Sequence, residues 1–219
     1  MKSILFIIVT LLTGVSLQSC SNGNNSSAKN RSDTPMSQMA HTDTKDMNEM
    51  MQSMHSTMEN MDAMKMSGNF DIDFANMMVM HHQAAIDMSE VEIAKGNDSR
   101  IKTMAQNIIT AQKLEIVQLQ QFVKNYRMPE TKMEKGEMQH DMRTTMKAMM
   151  DNMMNMKMSG NTDKDFVMMM IPHHESAVSM AEAEIANGKD AALKKMAQKM
   201  INDQSREIKE FKAWLADNK

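Results

Sequence analysis

The sequence repeats itself at an interval of 92 residues without a gap. Met64-Lys65-Met66-Ser67-Gly68-Asn69 recurs as Met156-Lys157-Met158-Ser159-Gly160-Asn161, Asp73-Phe74 as Asp165-Phe166, and His81-His82 as His173-His174. Further along, Glu92-Ile93-Ala94 recurs as Glu184-Ile185-Ala186, Gly96 as Gly188, Gln112 as Gln204, Glu115-Ile116 as Glu207-Ile208, and Phe122 as Trp214. A chain written twice must fold as two copies of one unit that bury a shared face. Residues 46–127 form the first copy and 128–219 the second.

Each copy reads as three helices, so the fold class is all-α. A Met-rich helix spans roughly 45–65 in the first copy and 131–157 in the second. A Ser-Gly-Asn break follows, after which Asp71 or Asp163 is placed to cap the next helix. That helix carries the His pair and stops near Gly96 or Gly188, glycine being the common helix-ending residue. Asp98 and Asp190 then sit near the start of the third helix. Its apolar positions Ile101, Met104, Ala105, Ile108, Ile109, Ile116, Leu119 and Val123 follow a helical period. Short turns make the second and third helices of each copy antiparallel hairpins, 70–127 and 162–219, and two hairpins can close a four-helix bundle. The second Met-rich helix becomes the long connection across that bundle. The first has few means of attachment to it, so it is expected to fray, and its loss to leave the bundle folded.

The N-terminus reads as an export signal. Lys2 precedes an apolar run from Ile4 to Val15 that is short for a bilayer span, and the run leads into Leu17-Gln18-Ser19-Cys20. This stretch resembles a bacterial lipobox, with residues 1–19 as signal peptide and Cys20 as the lipidated residue. Cys20 is the one cysteine of the chain, so no internal disulfide can form. Residues 20–45 are polar, contain Pro35 and lack apolar periodicity, as a disordered tether does. The reading places the mature protein on a bacterial membrane, facing the periplasm or the cell exterior. A formal charge of −3 and an aromatic content of 4% exclude a nucleic-acid binder, which needs a basic face.

On a helical wheel of the second helix, Phe74, Met77, Met78, His81, Ala84, Ala85 and Met88 share one face, with His82 at its edge. Met77 and His81, and likewise Met78 and His82, lie one turn apart. The second copy repeats the pattern with Met169 and His173, Met170 and His174, and Met180 two turns beyond His173. Four imidazoles and six thioethers therefore converge near the pseudo-symmetric centre. Gln112, Glu115, Gln204 and Glu207 fall in or beside the apolar face of the third helices, where a buried imidazole N–H is their natural partner. Thioethers are soft, neutral ligands that suit Cu(I) or Ag(I) over zinc, magnesium or iron. The chain holds 33 Met, Met1 included, yet only four Leu after Cys20, namely Leu114, Leu119, Leu193 and Leu215. Core filling alone accounts for a single stripe such as Met47, Met50, Met51, Met54, Met58 and Met61. The Met residues of the second Met-rich helix spread over roughly 160° of the wheel, wider than a core stripe of about 100°. His55, between Met51 and Met58, is placed for a surface copper clip.

The runs Asp73-Phe74 through His81-His82-Gln83-Ala84-Ala85-Ile86-Asp87-Met88, and Asp165-Phe166 through His173-His174-Glu175-Ser176-Ala177-Val178-Ser179-Met180, resemble the hallmark of the domain of unknown function 305 family. Gln112, Glu115-Ile116 and Phe122, with Gln204, Glu207-Ile208 and Trp214, are similar to its second helix. The resemblance implies secreted or anchored bacterial proteins with a ferritin-like four-helix fold of two helical pairs, some Met- and His-rich members being linked to extracytoplasmic copper. Met80 departs from the family pattern, which Pro172 keeps. The reading is thus a non-enzymatic copper-binding lipoprotein, preferring Cu(I), that buffers, sequesters or hands copper to a protein partner. The alternatives are a ferritin-like di-metal oxidase and a metal-free interaction module.

Overall fold

This computed structural model describes residues 49–127 and 138–218, within which there are six α-helices and no strand. They are α1 (Glu49–Ala63), α2 (Phe70–Lys95), α3 (Ser99–Asn125), α4 (Met138–Met154), α5 (Thr162–Asn187) and α6 (Ala191–Asp217). The bounds of α5 and α6 repeat those of α2 and α3 at the 92-residue interval. Cys20, the tether and residues 128–137, Pro129 among them, lie outside the described residues.

The repeated Ser-Gly-Asn break turns the chain from each Met-rich helix into the next. Gly68 and Gly160 adopt φ of 86° and 81°, which glycine tolerates without the Cβ clash of other residues. The carboxyl of Asp73 then accepts from the backbone N–H groups of Ser67 and Gly68 at 2.7 and 3.2 Å, and Asp165 does the same for Ser159 and Gly160. Helix capping differs from the sequence expectation. Asn69 and Asn161, not Asp71 and Asp163, are the N-caps, accepting from Ile72 N and Lys164 N.

Asp71 and Asp163 instead cap the opposite repeat. Asp163 Oδ1 accepts from Asn97 N and Asp98 N, both at 2.8 Å, at the turn from α2 to α3. Asp71 Oδ1 accepts from Lys189 N and Asp190 N, at 2.8 and 2.9 Å, at the turn from α5 to α6. The start of each His-bearing helix thereby meets the end of the other, so α2 and α5 run antiparallel. Trp214 adds a further tie by donating from Nε1 to Asp98 Oδ2 at 2.9 Å. Asp98 and Asp190, which the sequence places near the start of the third helices, are the N-caps of α3 and α6.

α2 packs on α3, α5 on α6, and α2 on α5, which makes the two hairpins a ferritin-like bundle whose core runs along α2 and α5. The Met-rich helices form a further layer. α1 packs on α2 and α4, and α4 on α5, so α4 is a packed element rather than a bare connection. Met50, Met54 and Met61 of α1, and Met142, Met146, Met149, Met150 and Met153 of α4, are buried. Arg143 of α4 donates to the Met61 carbonyl at 3.1 Å, and Lys95 pairs with Glu49 at 2.5 Å. The expectation of a loosely held α1 is therefore wrong, because its Met stripe faces the core. Each fully buried Met contributes about 1.5–3 kcal/mol. Deleting residues 49–63 should lower the melting temperature by about 10 °C or more; an unchanged melt would show that α1 does not belong to the folded core.

Glycine ends α2 and α5 for a reason other than a left-handed cap. Gly96 and Gly188 have φ of −66° and −60°, and each continues extended. A Cβ at Gly96 would fall inside the Glu92 carboxyl, and one at Gly188 inside that of Glu184. Both glutamates are fully buried, with no donor to accept from at either oxygen. Glu92 faces Asp163 and Glu184 faces Asp71, so a proton on the glutamate is what can join each pair. Burial, then Asp163, with Asp98 adding and Lys102 opposing, pushes Glu92 up to about 8. Burial, then Asp71, with Asp190 adding and Lys194 opposing, pushes Glu184 up to about 9. Since the ordinary value is 4.5, the folded chain holds two extra protons between these limits, and their stabilisation is whole below pH 4.5 and lost as pH rises through about 8 and about 9. The slope is at most about 1.4 kcal/mol per pH unit for each group. Replacing both glutamates with glutamine, which donates without titrating, should flatten the fall in melting temperature between about pH 6 and 9. An undiminished slope in that variant would place the pH dependence elsewhere.

Candidate metal centre

Midway along the contact between α2 and α5, the rings of His81 and His173 face each other with centroids 3.7 Å apart and planes tilted by 40°. His82 lies 6.4 Å from His81, and His174 6.1 Å from His173. The four rings form a row through the centre of the bundle, His82–His81–His173–His174, and each is at most 1% exposed. The sequence had set His82 and His174 at the edge of the buried face; α3 and α6 cover that flank and bury them completely.

A carboxyl stands at each end of the row. His82 Nε2 hydrogen-bonds Glu115 Oε2 at 2.9 Å. His174 Nε2 lies 2.8 Å from Glu207 Oε2, but the approach is too bent for a good hydrogen bond. The two ends also differ in charge. Lys199 Nζ reaches Glu115 Oε1 at 3.3 Å, whereas the repeat-equivalent of Lys199 is Asn107, which carries no charge. Burial would raise the Glu115 carboxyl, but the His82 hydrogen bond and the Lys199 cation outweigh it and hold it below the usual glutamate value. Lys199 had no sign in the sequence, because it belongs to the outward side of α6 and acts across to α3. A second asymmetry is Pro172, which has no N–H to donate to the Met168 carbonyl just before His173, whereas Met80 keeps its own.

At the centre of the row the chemistry is simpler. Burial, then the neighbouring imidazoles, hold His81 and His173 well below the ordinary histidine value, so both are neutral near pH 7. Neither ring has a well-formed hydrogen bond at either nitrogen, although each lies near the other's backbone. A neutral imidazole keeps one free lone pair, which is the form that binds a metal. Met77, Met78, Met88, Met169, Met170 and Met180 are all buried on the same two helices. Among the described residues no three His, Cys, Asp or Glu side chains converge as a metal cage. The soft donors that the two helices bury along with the central rings are these thioethers, one turn before each histidine in Met77, Met78, Met169 and Met170. His55 stands apart on α1, its side chain 42% exposed and 3.6 Å from Glu59.

Two helical hairpins related by a repeat, joined across a buried histidine row and backed by methionine, define a histidine-centred helical bundle. The chain belongs to the DUF305 family, a domain of unknown function, whose model matches residues 16–123 and, overlapping, 71–215. Among solved structures, CopM in its Cu(I)-bound form is 32% identical with a TM-score of 0.50, over 67% of this chain and 96% of CopM. CopM in an Ag-bound form is 30% identical with a TM-score of 0.52, over 67% and 95% of the two chains. A DUF305 protein from Streptomyces coelicolor, described as secreted, is 21% identical with a TM-score of 0.56, over 69% and 95%, and shows the shared fold. No curated protein matches the chain.

Proposed function

We propose that this chain is an exported, lipid-anchored copper-binding protein that buffers or sequesters copper outside the cytoplasm, with Cu(I) preferred and Ag(I) as its close mimic. The observation that carries the reading is the row of four buried imidazoles at repeat-equivalent positions, with a thioether one turn before each. His81 and His173, with Met77, Met78, Met169 and Met170, are the residues that would hold the ion. The central rings have no good hydrogen bond to break, so turning toward a metal costs only packing. CopM, solved with Cu(I), Cu(II) and Ag, supports the same ion class at 30–32% identity. The protein binds rather than catalyses in this reading. Glu115 and Glu207 stand at the outer ends of the row, not between the rings where a di-metal oxidase needs bridging carboxylates. Export rests on the N-terminal pattern ending at Cys20; no described helix is long and apolar enough to cross a membrane.

An anaerobic competition against a chromophoric Cu(I) chelator, with Ag(I) and Zn(II) in parallel, tests the ion. Cu(I) and Ag(I) should bind tighter than Zn(II) by several orders of magnitude, and equal Zn(II) affinity would end the copper reading. Replacing His81 and His173 together with alanine should abolish the tightest binding while the helical circular dichroism persists. Copper binding untouched by that double change would make the row structural.

Cys20→Ser should release the protein from the membrane fraction into the soluble one, unacylated. Unchanged membrane association would remove the lipid anchor.

A further inference from the structure

The histidine row is sealed, so an ion that binds there needs a way in. α3 and α6 form the outer layer of the bundle on the side away from the Met-rich helices, and they make few direct contacts with each other. Between them runs a cleft of about 270 Å³. Both Glu115 and Glu207, the carboxyls at the two ends of the row, line it. Beside them lie Gln112 and Gln204, again a repeat-equivalent pair, each only 3% exposed. Neither amide atom of Gln204 has a partner, and Gln112 Oε1 has none. Two amides in equivalent positions therefore line one cleft with polar atoms that the chain's own groups do not engage. Two thioethers, Met104 and Met200, complete the wall. Four carboxyls, Glu115, Asp203, Glu207 and Glu210, stand at the cleft against two cations, Arg206 and the adjacent Lys199, which favours cations over anions.

We infer that the cleft between α3 and α6 is the port through which copper ions enter and leave the histidine row, with the amide oxygens of Gln112 and Gln204 and the sulfurs of Met104 and Met200 as a transient outer stop. The inference rests on the copper reading and adds a route to it. An ion shedding water at the mouth meets oxygen donors and sulfur together, and the carboxyls of Glu115, bonded to His82, and Glu207, 2.8 Å from His174, form the step inward. Coordination at the stop is weak because the carboxyls there already serve other partners: Glu115 is held by His82 and Lys199, and Asp203 by Lys199 and Arg206.

A port alters rates without altering end states, and that is what the experiment reads. Ala111 lines the cleft and is exposed, so Ala111→Trp narrows it without entering the core. Leu114→Trp, on a residue 59% exposed and not lining the cleft, is the control. In the full-length protein, anaerobic stopped-flow transfer of Cu(I) from a chromophoric chelator gives loading, transfer back to excess chelator gives release, and a titration gives the equilibrium constant. The expected result for Ala111→Trp is loading and release slowed together, by tenfold or more, with an unchanged equilibrium constant and wild-type rates for Leu114→Trp. Gln204→Leu provides a second variant should the tryptophan perturb folding by circular dichroism, and it should also slow both rates. Rates within twofold of wild type in the folded variants overturn the port, and so does a weakened equilibrium constant with unchanged loading. If wild-type protein binds no Cu(I) or Ag(I) in the titration, the copper reading itself fails and takes the port with it. Binding with unaltered rates overturns the port alone.

Discussion

Two neutral imidazoles pressed face to face in a dry interior set the terms for the rest of this bundle. Neither His81 nor His173 can take a proton there without bringing charge against three other rings, so the centre stays uncharged. Close approach of α2 and α5 is needed for that contact, and the small residues Ala84, Ala85, Ala177 and Ala181, all fully buried, leave room for it. The charges needed to hold the row are displaced to its ends, where Glu115 and Glu207 reach in from a different pair of helices.

The same side chain behaves in opposite ways according to its neighbours. Glu115 sits between an imidazole and a lysine and is held ionised, whereas Glu92 and Glu184 sit against other carboxyls and are driven toward the neutral acid. All three are buried, so burial alone does not decide the matter; the partner does. The polar interior therefore divides into a cation-supported end at the histidine row and proton-supported joints at the tips of α2 and α5. The methionine layer needs neither. Its thioethers supply packing to α1 and α4, and they leave the ring nitrogens free of competing hydrogen bonds.

Much of this architecture was legible because the sequence states it twice. The 92-residue interval set the hairpins, and the place of Asp98 and Asp190 at the start of α3 and α6 and the buried His and Met faces followed from period and position. What escaped was mostly reach across the pseudo-twofold. Asp71 and Asp163 looked like local caps because a sequence shows only near neighbours, yet each acts on a turn more than sixty residues away. Glu92 was within grasp: it lies five full turns after Phe74, at the same angle on the wheel, and so belongs to the core face. Its charge argued for the surface, and only the facing carboxyl explains its burial. The docking of α1 was hidden for another reason. Its Met stripe has one periodicity whether it meets copper or a neighbouring helix, and α4, one of the neighbours it packs on, occupies the place of a connection between the repeats.

The exchange of caps between repeats says something about descent. One copy of the unit carries an aspartate at the start of its histidine helix and an uncapped turn at the far end of the same helix, and the antiparallel meeting of α2 and α5 puts each beyond the other's reach within a copy. A lone unit with these residues is complete only when a second unit lies against it head to tail. The present chain is in that sense a homodimer fused into one polypeptide. Fusion removes the demand that both halves stay identical, and the halves have used the freedom: Lys199 against Asn107, Trp214 against Phe122, Pro172 against Met80. These three differences fall beside the row or on a tie between the halves, so the seam has two distinguishable sides.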